Sequence, residues 1–124
     1  MLIFEELTNE IIGSAIEVHK ELGPGLLESA YQACMCHELN LRKIPFRQQI
    51  DLPVKYKGIH LDCGYRIDML VEEKVVVEFK AVTEMIPIYE AQLLTYLKLS
   101  RCKVGLLINF HVSVLKDGIK RKVL

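Results

Sequence analysis

Apolar residues recur at intervals of three and four from Leu7 onward: Leu7, Ile11, Ala15, Val18 and Leu22. That spacing gathers them on one helical face and predicts a helix over about Leu7–Leu22, with Thr8 as its N-cap. Gly23-Pro24-Gly25 breaks the pattern, because glycine admits unusual dihedrals and proline disfavours helix in the residue before it. A second stripe of Leu27, Ala30, Tyr31, Cys34 and Met35 predicts a helix over about Leu26–Lys43. Glu28 lies at the edge of that stripe, one turn from Tyr31 and Gln32.

From Phe46 the period becomes two. Ile50, Leu52, Val54 and Tyr56 alternate with Gln49, Asp51, Pro53 and Lys55, which predicts one strand that is irregular or at an edge near Pro53. Lys57-Gly58 reads as a turn, and a return strand is expected from Ile59–Asp62 through Gly64 toward Val71. Val75–Ala81 is rich in β-branched residues and reads as a further strand. Pro87 marks the entry to a third helix, about Ile88–Leu99, and Val104–Asn109 has the unbroken apolar character of a buried strand. A last short strand covers Val112–Leu115 or Ile119–Val123. No repeat, linker or low-complexity tract divides the chain, so residues 1–124 read as one domain of the α+β kind. Its central mixed sheet is flanked by helices, and the third helix makes a right-handed parallel crossover.

Composition adds limits. With 124 residues, 51% hydrophobic and 26% charged, the chain can bury an ordinary core. No apolar run approaches the ~20 residues of a membrane span, and the N-terminus lacks the basic-then-apolar order of a secretory signal. Membrane association is therefore not expected. Cys34, Cys36, Cys63 and Cys102 form no CxxC pair, and His19, His37, His60 and His111 are scattered, so zinc is poorly supported and reduced thiols in the cytoplasm are the simpler expectation. The 16 basic residues balance the 16 acidic ones. That argues against a protein that coats nucleic acid through a broad basic surface. The basic cluster Lys116, Lys120, Arg121 and Lys122 reads first as a solvated edge strand.

The chemistry concentrates in Val75-Val76-Val77-Glu78-Phe79-Lys80. In a strand Glu78 and Lys80 share one face while Val75, Val77 and Phe79 share the other. If Val71 pairs with Val75 across the turn Glu72-Glu73-Lys74, Asp68 falls opposite Glu78. Asp68, Glu78 and Lys80 then converge. An ion pair between neighbouring strands would use the same residues. Two carboxylates also suit a hard divalent ion such as Mg²⁺, which takes backbone carbonyls and water as well, and the lysine can steady developing negative charge. Glu28 could bring a third carboxylate. Gln92 and Tyr96 are four apart and project from one helical face, where their polar ends could touch the lysine or a bound phosphate.

Gly25-Leu26-Leu27-Glu28-Ser29-Ala30-Tyr31 resembles the GxxExxY motif. Val18–Gly25, Gly64–Asp68, Glu78–Ala81, Glu90–Leu97 and Gly105–Phe110 resemble the same family in order along nearly the whole chain. The GxxExxY family is placed in the PD-(D/E)XK nuclease superfamily. The resemblance implies a restriction-endonuclease-like core. It matches Glu28 to the helix acid, Asp68 to the strand aspartate, and Glu78 and Lys80 to the ExK pair. It also implies a Mg²⁺ or Mn²⁺ site on Asp68, Glu78, Glu28 and the backbone carbonyl of Phe79. Gln92 and Tyr96 resemble the QxxxY motif of exonucleases coupled to recombination helicases, with Gln92 in the catalytic set and both residues on substrate. The expected activity is phosphodiester hydrolysis in nucleic acid, with DNA as substrate. The competing expectation is a non-catalytic nucleic-acid-binding or assembly module that keeps the fold. Zero net charge suits that module, or an enzyme that needs a protein partner or a homo-oligomer.

Overall fold

Val75–Lys80 is buried over all but its last residue, and the molecule is built around it. The computed structural model describes residues 2–124. Helices α1 (Glu5–Leu22) and α2 (Glu28–Leu41) precede strands β1 (Phe46–Asp51), β2 (Val54–Tyr56), β3 (Ile59–Leu61), β4 (Arg66–Val71) and β5 (Val75–Lys80). Helix α3 (Pro87–Ser100) then leads to β6 (Val104–Asn109), and a 3-10 turn over Leu115–Gly118 precedes β7 (Ile119–Val123). The main sheet has the order β1-β4-β5-β6-β7. Only β5 and β6 run parallel, and α3 connects them; the other neighbours are antiparallel.

Both faces of this sheet are covered, which explains the continuous apolar runs of β5 and β6. On one face Val75, Val77, Phe79, Leu106 and Ile108 pack with Ile11, Ala15, Tyr31 and Met35 of α1 and α2. On the other, Val76 and Leu107 pack with Leu93, Tyr96 and Leu97 of α3. Gly105 admits α3 closely, since a Cβ there would meet Leu93 at 2.8 Å. Gly118 lets the turn before β7 run against β6, where a Cβ would strike the Asn109 carbonyl oxygen.

Two local expectations need correction. Thr8 lies inside α1, its hydroxyl donating back to the carbonyls of Phe4 at 3.1 Å and Glu5 at 3.0 Å. Phe4, in a left-handed conformation at φ 56°, holds the cap position instead. The alternation from Phe46 to Tyr56 is also not one strand. Proline has no N–H to give a ladder, and the chain breaks at Leu52-Pro53, where the Leu52 N–H bonds the Tyr65 carbonyl at 2.8 Å. Gly64, at φ 76°, turns the returning chain. The segments between become a separate two-stranded ribbon of β2 and β3. The last strand is Ile119–Val123; Val112–Leu115 is not one. Its basic residues are partly engaged: Lys122 pairs with Glu90 and Arg121 donates to the Ile3 carbonyl at 2.5 Å.

Candidate active site

The β4–β5 ladder pairs Val71 with Val75, Leu70 with Val76 and Met69 with Val77, the register expected from the polar turn. One step further Asp68 faces Glu78, and there side chains replace the backbone ladder. The Asp68 N–H donates to Glu78 Oε2 at 2.7 Å, and the Phe79 N–H donates to Asp68 Oδ2 at 2.9 Å. Each carboxyl group thus accepts an amide hydrogen from the neighbouring strand and is held in place by it.

The strand is irregular at this point. Ile67 packs with Leu70 and α3, although it has the parity of Met69 and Val71, which pack on the α1–α2 side. The period-two alternation therefore fails at Asp68. Gln49, opposite it on β1, has φ 52° and drops out of a register that pairs Gln48 with Met69 and Ile50 with Ile67. Gln32 of α2 braces the spot, its amide donating to the Asp68 carbonyl at 3.2 Å and to Gln48 Oε1 at 3.3 Å.

Lys80 ends β5, and its ammonium lies 4.5 Å from the centroid of the Tyr89 ring on α3. Asn109 stands beside it in the parallel register. The Asn109 side chain clamps the chain leaving Lys80, accepting from the Val82 N–H at 3.1 Å and the His111 N–H at 3.2 Å and donating to the Val82 carbonyl at 2.9 Å. Neither Gln32 nor Asn109 stood out in the sequence, because an uncharged amide has no spacing signature.

Glu28 opens α2 at the exposed rim. Its placement depends on Tyr31, whose hydroxyl donates to the Gly23 carbonyl at 2.5 Å and accepts from the Leu26 N–H at 3.1 Å. The Tyr31 ring stacks on Phe110 with centroids 4.3 Å apart. Tyrosine at this position ties the glycine loop to the core. Tyr31→Phe keeps the stack but strands two backbone groups, so a loss of about 1–2 kcal/mol is expected. Thermal melting checks this, and an unchanged midpoint would show that the hydroxyl bonds contribute nothing.

The electrostatics join these groups. Burial pushes the Glu78 carboxyl up from 4.5 to about 8, helped by Asp68 and Glu28 and opposed by the Asp68 N–H and Lys80. Asp68 is raised by burial, against the Phe79 N–H and Lys80. Glu28 is raised by burial and by Asp68, against Lys80. Three carboxyl groups around one ammonium are short of positive charge. Among the described residues, no three His, Cys, Asp or Glu side chains are gathered at metal-holding spacing. The structure brings Asp68 and Glu78 together and leaves Glu28 at the rim. The donor chemistry fits a hard divalent ion, which would supply the missing charge to carboxylate oxygens.

Tyr96 of α3 is buried, and its hydroxyl is raised by burial and by the nearby Glu78, Asp68 and Tyr65. Gln92, one turn earlier, is half-buried and lines a cleft of about 380 Å³ with Tyr65, Thr95 and Tyr96. Tyr65 is absent from the sequence expectation, since its place depends on the turn at Gly64. A larger cleft, about 630 Å³, lies by Phe4, Ile44 and Lys74 at the turn end of β4–β5, away from these residues. The cysteines Cys34, Cys36, Cys63 and Cys102 are free, and no helix among the described residues is long and apolar enough to cross a membrane.

A model of the PD-(D/E)XK nuclease superfamily matches residues 5–122. No curated protein and no solved structure matches the chain.

Proposed function

Because the chain belongs to the PD-(D/E)XK nuclease superfamily, we propose that it hydrolyses phosphodiester bonds in DNA with Mg²⁺ or Mn²⁺, using Asp68, Glu78 and Lys80. The observation that carries this reading is the junction where Asp68 and Glu78 break the β4–β5 ladder and accept each other's strand amides. Carboxylates held that way are pre-oriented, and they keep oxygens available for a cation. Asp68, Glu78, Glu28 and the Phe79 carbonyl would hold the ion. When bound, it neutralises charge on a phosphate oxygen and makes a water more acidic.

The chain's own residues supply the rest. Lys80 steadies negative charge as it develops on the phosphate, and the Tyr89 ring beneath its ammonium limits where that charge can go. Gln92 and Tyr96 come from one face of α3 and would contact the substrate. Zero net charge makes a broad electrostatic hold on duplex DNA weak, so binding should depend on local contacts and fall only shallowly with salt.

The test is incubation of the protein with single-stranded, duplex and branched DNA in Mg²⁺ or Mn²⁺, with EDTA and Asp68→Asn as controls. Metal-dependent cleavage is expected, with loss in both controls. Asp68→Asn should also weaken Mn²⁺ binding by calorimetry without unfolding the protein. DNA binding with no cleavage in either metal would favour the module that keeps the fold without the chemistry.

A further inference from the structure

Beside the carboxylate pair, the sheet, the ribbon and α3 leave an open cleft of about 380 Å³. Its walls are Val54, Tyr65, Ile88 and Tyr96, with the polar ends of Gln92 and Thr95 along α3. The Tyr65 and Tyr96 rings are tilted against each other, with centroids 6.5 Å apart and planes inclined at 58°. Tyr65 is 45% exposed and Ile88 60% exposed. These two side chains put aromatic and aliphatic surface at the mouth of a polar cleft, where a ligand can reach it.

We propose that this cleft receives one unstacked nucleobase, so that the preferred substrate is single-stranded or frayed nucleic acid rather than closed duplex. The proposal rests on the nuclease reading and deepens it. Three features select a base over other apolar groups. The cleft volume is in the range of small-ligand sites, about 300–1,000 Å³. Its exposed wall includes the Tyr65 ring, and stacking on such a ring accepts every base because each has a π-face. The cleft also borders the candidate catalytic strand: Tyr96, which lines it, packs on Val76 of β5, two residues from Glu78. A base seated against Tyr65 would set its own phosphate near the carboxylates. A base still paired in a duplex is stacked on its neighbours and cannot enter. The Gln92 amide offers donors and an acceptor to the base edge, and the Thr95 hydroxyl, which donates to the Ala91 carbonyl at 3.1 Å, offers an acceptor; such a set suits contact without a strong sequence preference.

The experiment is equilibrium binding of the full chain to a single-stranded oligonucleotide containing 2-aminopurine, and to a blunt duplex of the same sequence. It is done in EDTA at one low salt concentration, with Tyr65→Ala, Tyr65→Phe and Tyr56→Ala. Tyr56 is an exposed ribbon tyrosine outside the cleft, so its loss controls for aromatic surface in general. Tyr65→Ala should weaken single-strand binding about tenfold and abolish the 2-aminopurine quenching, because stacking is lost. Tyr65→Phe should keep both, and Tyr56→Ala should match wild type. Duplex binding should be weaker than single-strand binding and indifferent to Tyr65.

Equal single-strand affinity in Tyr65→Ala and wild type would overturn the base cleft, as would an equal loss on both substrates. So would light scattering that shows a dimer of wild type which Tyr65→Ala dissociates, because the cleft would then be covered by a second copy. These results are separable from the nuclease reading. Metal-dependent cleavage without any Tyr65 effect removes the cleft and keeps the nuclease. A Tyr65 effect on binding, with no cleavage in any metal, keeps the cleft and removes the nuclease.

Discussion

Lys80→Ala is expected to slow metal-dependent cleavage by about 10²–10³ and to leave DNA affinity near wild type. Lys80 is the positive group that Glu28, Asp68 and Glu78 all sense. Its ammonium is held over Tyr89 rather than locked against one carboxylate, so it can turn toward a phosphate. Charge on that phosphate grows between ground state and transition state, and only the increase in stabilisation raises the rate. On the proposed reading, ground-state binding would be shared with other groups such as Gln92, so removing one ammonium should change it little. Single-turnover cleavage beside gel-shift titration at one salt concentration separates the two quantities. A variant that cuts as fast as wild type removes Lys80 from the chemistry. A variant that neither binds nor cuts would make Lys80 a binding residue instead. Lys80→Arg is informative as well: it keeps the charge but changes its shape, and partial recovery of rate would show that charge is what matters.

Much of this site was legible in the sequence, for definite reasons. The three-residue turn at Glu72–Lys74 fixes the register of two strands. Once Val71 faces Val75, simple counting brings Asp68 to Glu78. The stripe through Tyr31 likewise fixes which helix carries Glu28. What could not be read is how the pair is held. The failure of alternation at Asp68 comes from a positive φ at Gln49 on another strand and from Gln32 on a helix, and no local pattern records either. The strand predicted through Pro53 had the right period, yet it is divided because proline cannot extend the ladder and Gly64 redirects its partner. That division creates the ribbon and delivers Tyr65 to the cleft. Counting also could not show that Glu28 remains at the rim, since spacing gives the direction of a side chain and not its reach.

Glu78→Gln is expected to stabilise the metal-free protein at alkaline pH. In the native state burial and Asp68 hold the Glu78 carboxyl at about 8, against 4.5 for an ordinary glutamate. Between those values the native state keeps a proton that the unfolded chain releases. Stability from this group is therefore fully present below 4.5, falls as pH rises, and is lost above about 8. At about 1.4 kcal/mol per tenfold change in proton affinity, the loss amounts to several kcal/mol. Glutamine removes the charge yet retains an oxygen that can accept the Asp68 N–H, so the ladder junction survives. The variant should melt roughly 10 °C above wild type near pH 9, with a flatter pH profile and little difference near pH 4. Asp68 and Glu28 are raised too and will leave some slope. Mn²⁺ gives the second readout. If Glu78 is a ligand, Mn²⁺ should restore wild-type stability at pH 8 and raise that of Glu78→Gln far less, because the ion replaces the proton only where a carboxylate remains. Parallel melting profiles from pH 4 to pH 9, together with equal Mn²⁺ stabilisation, would mean that Glu78 is neither electrostatically strained nor part of a cation site.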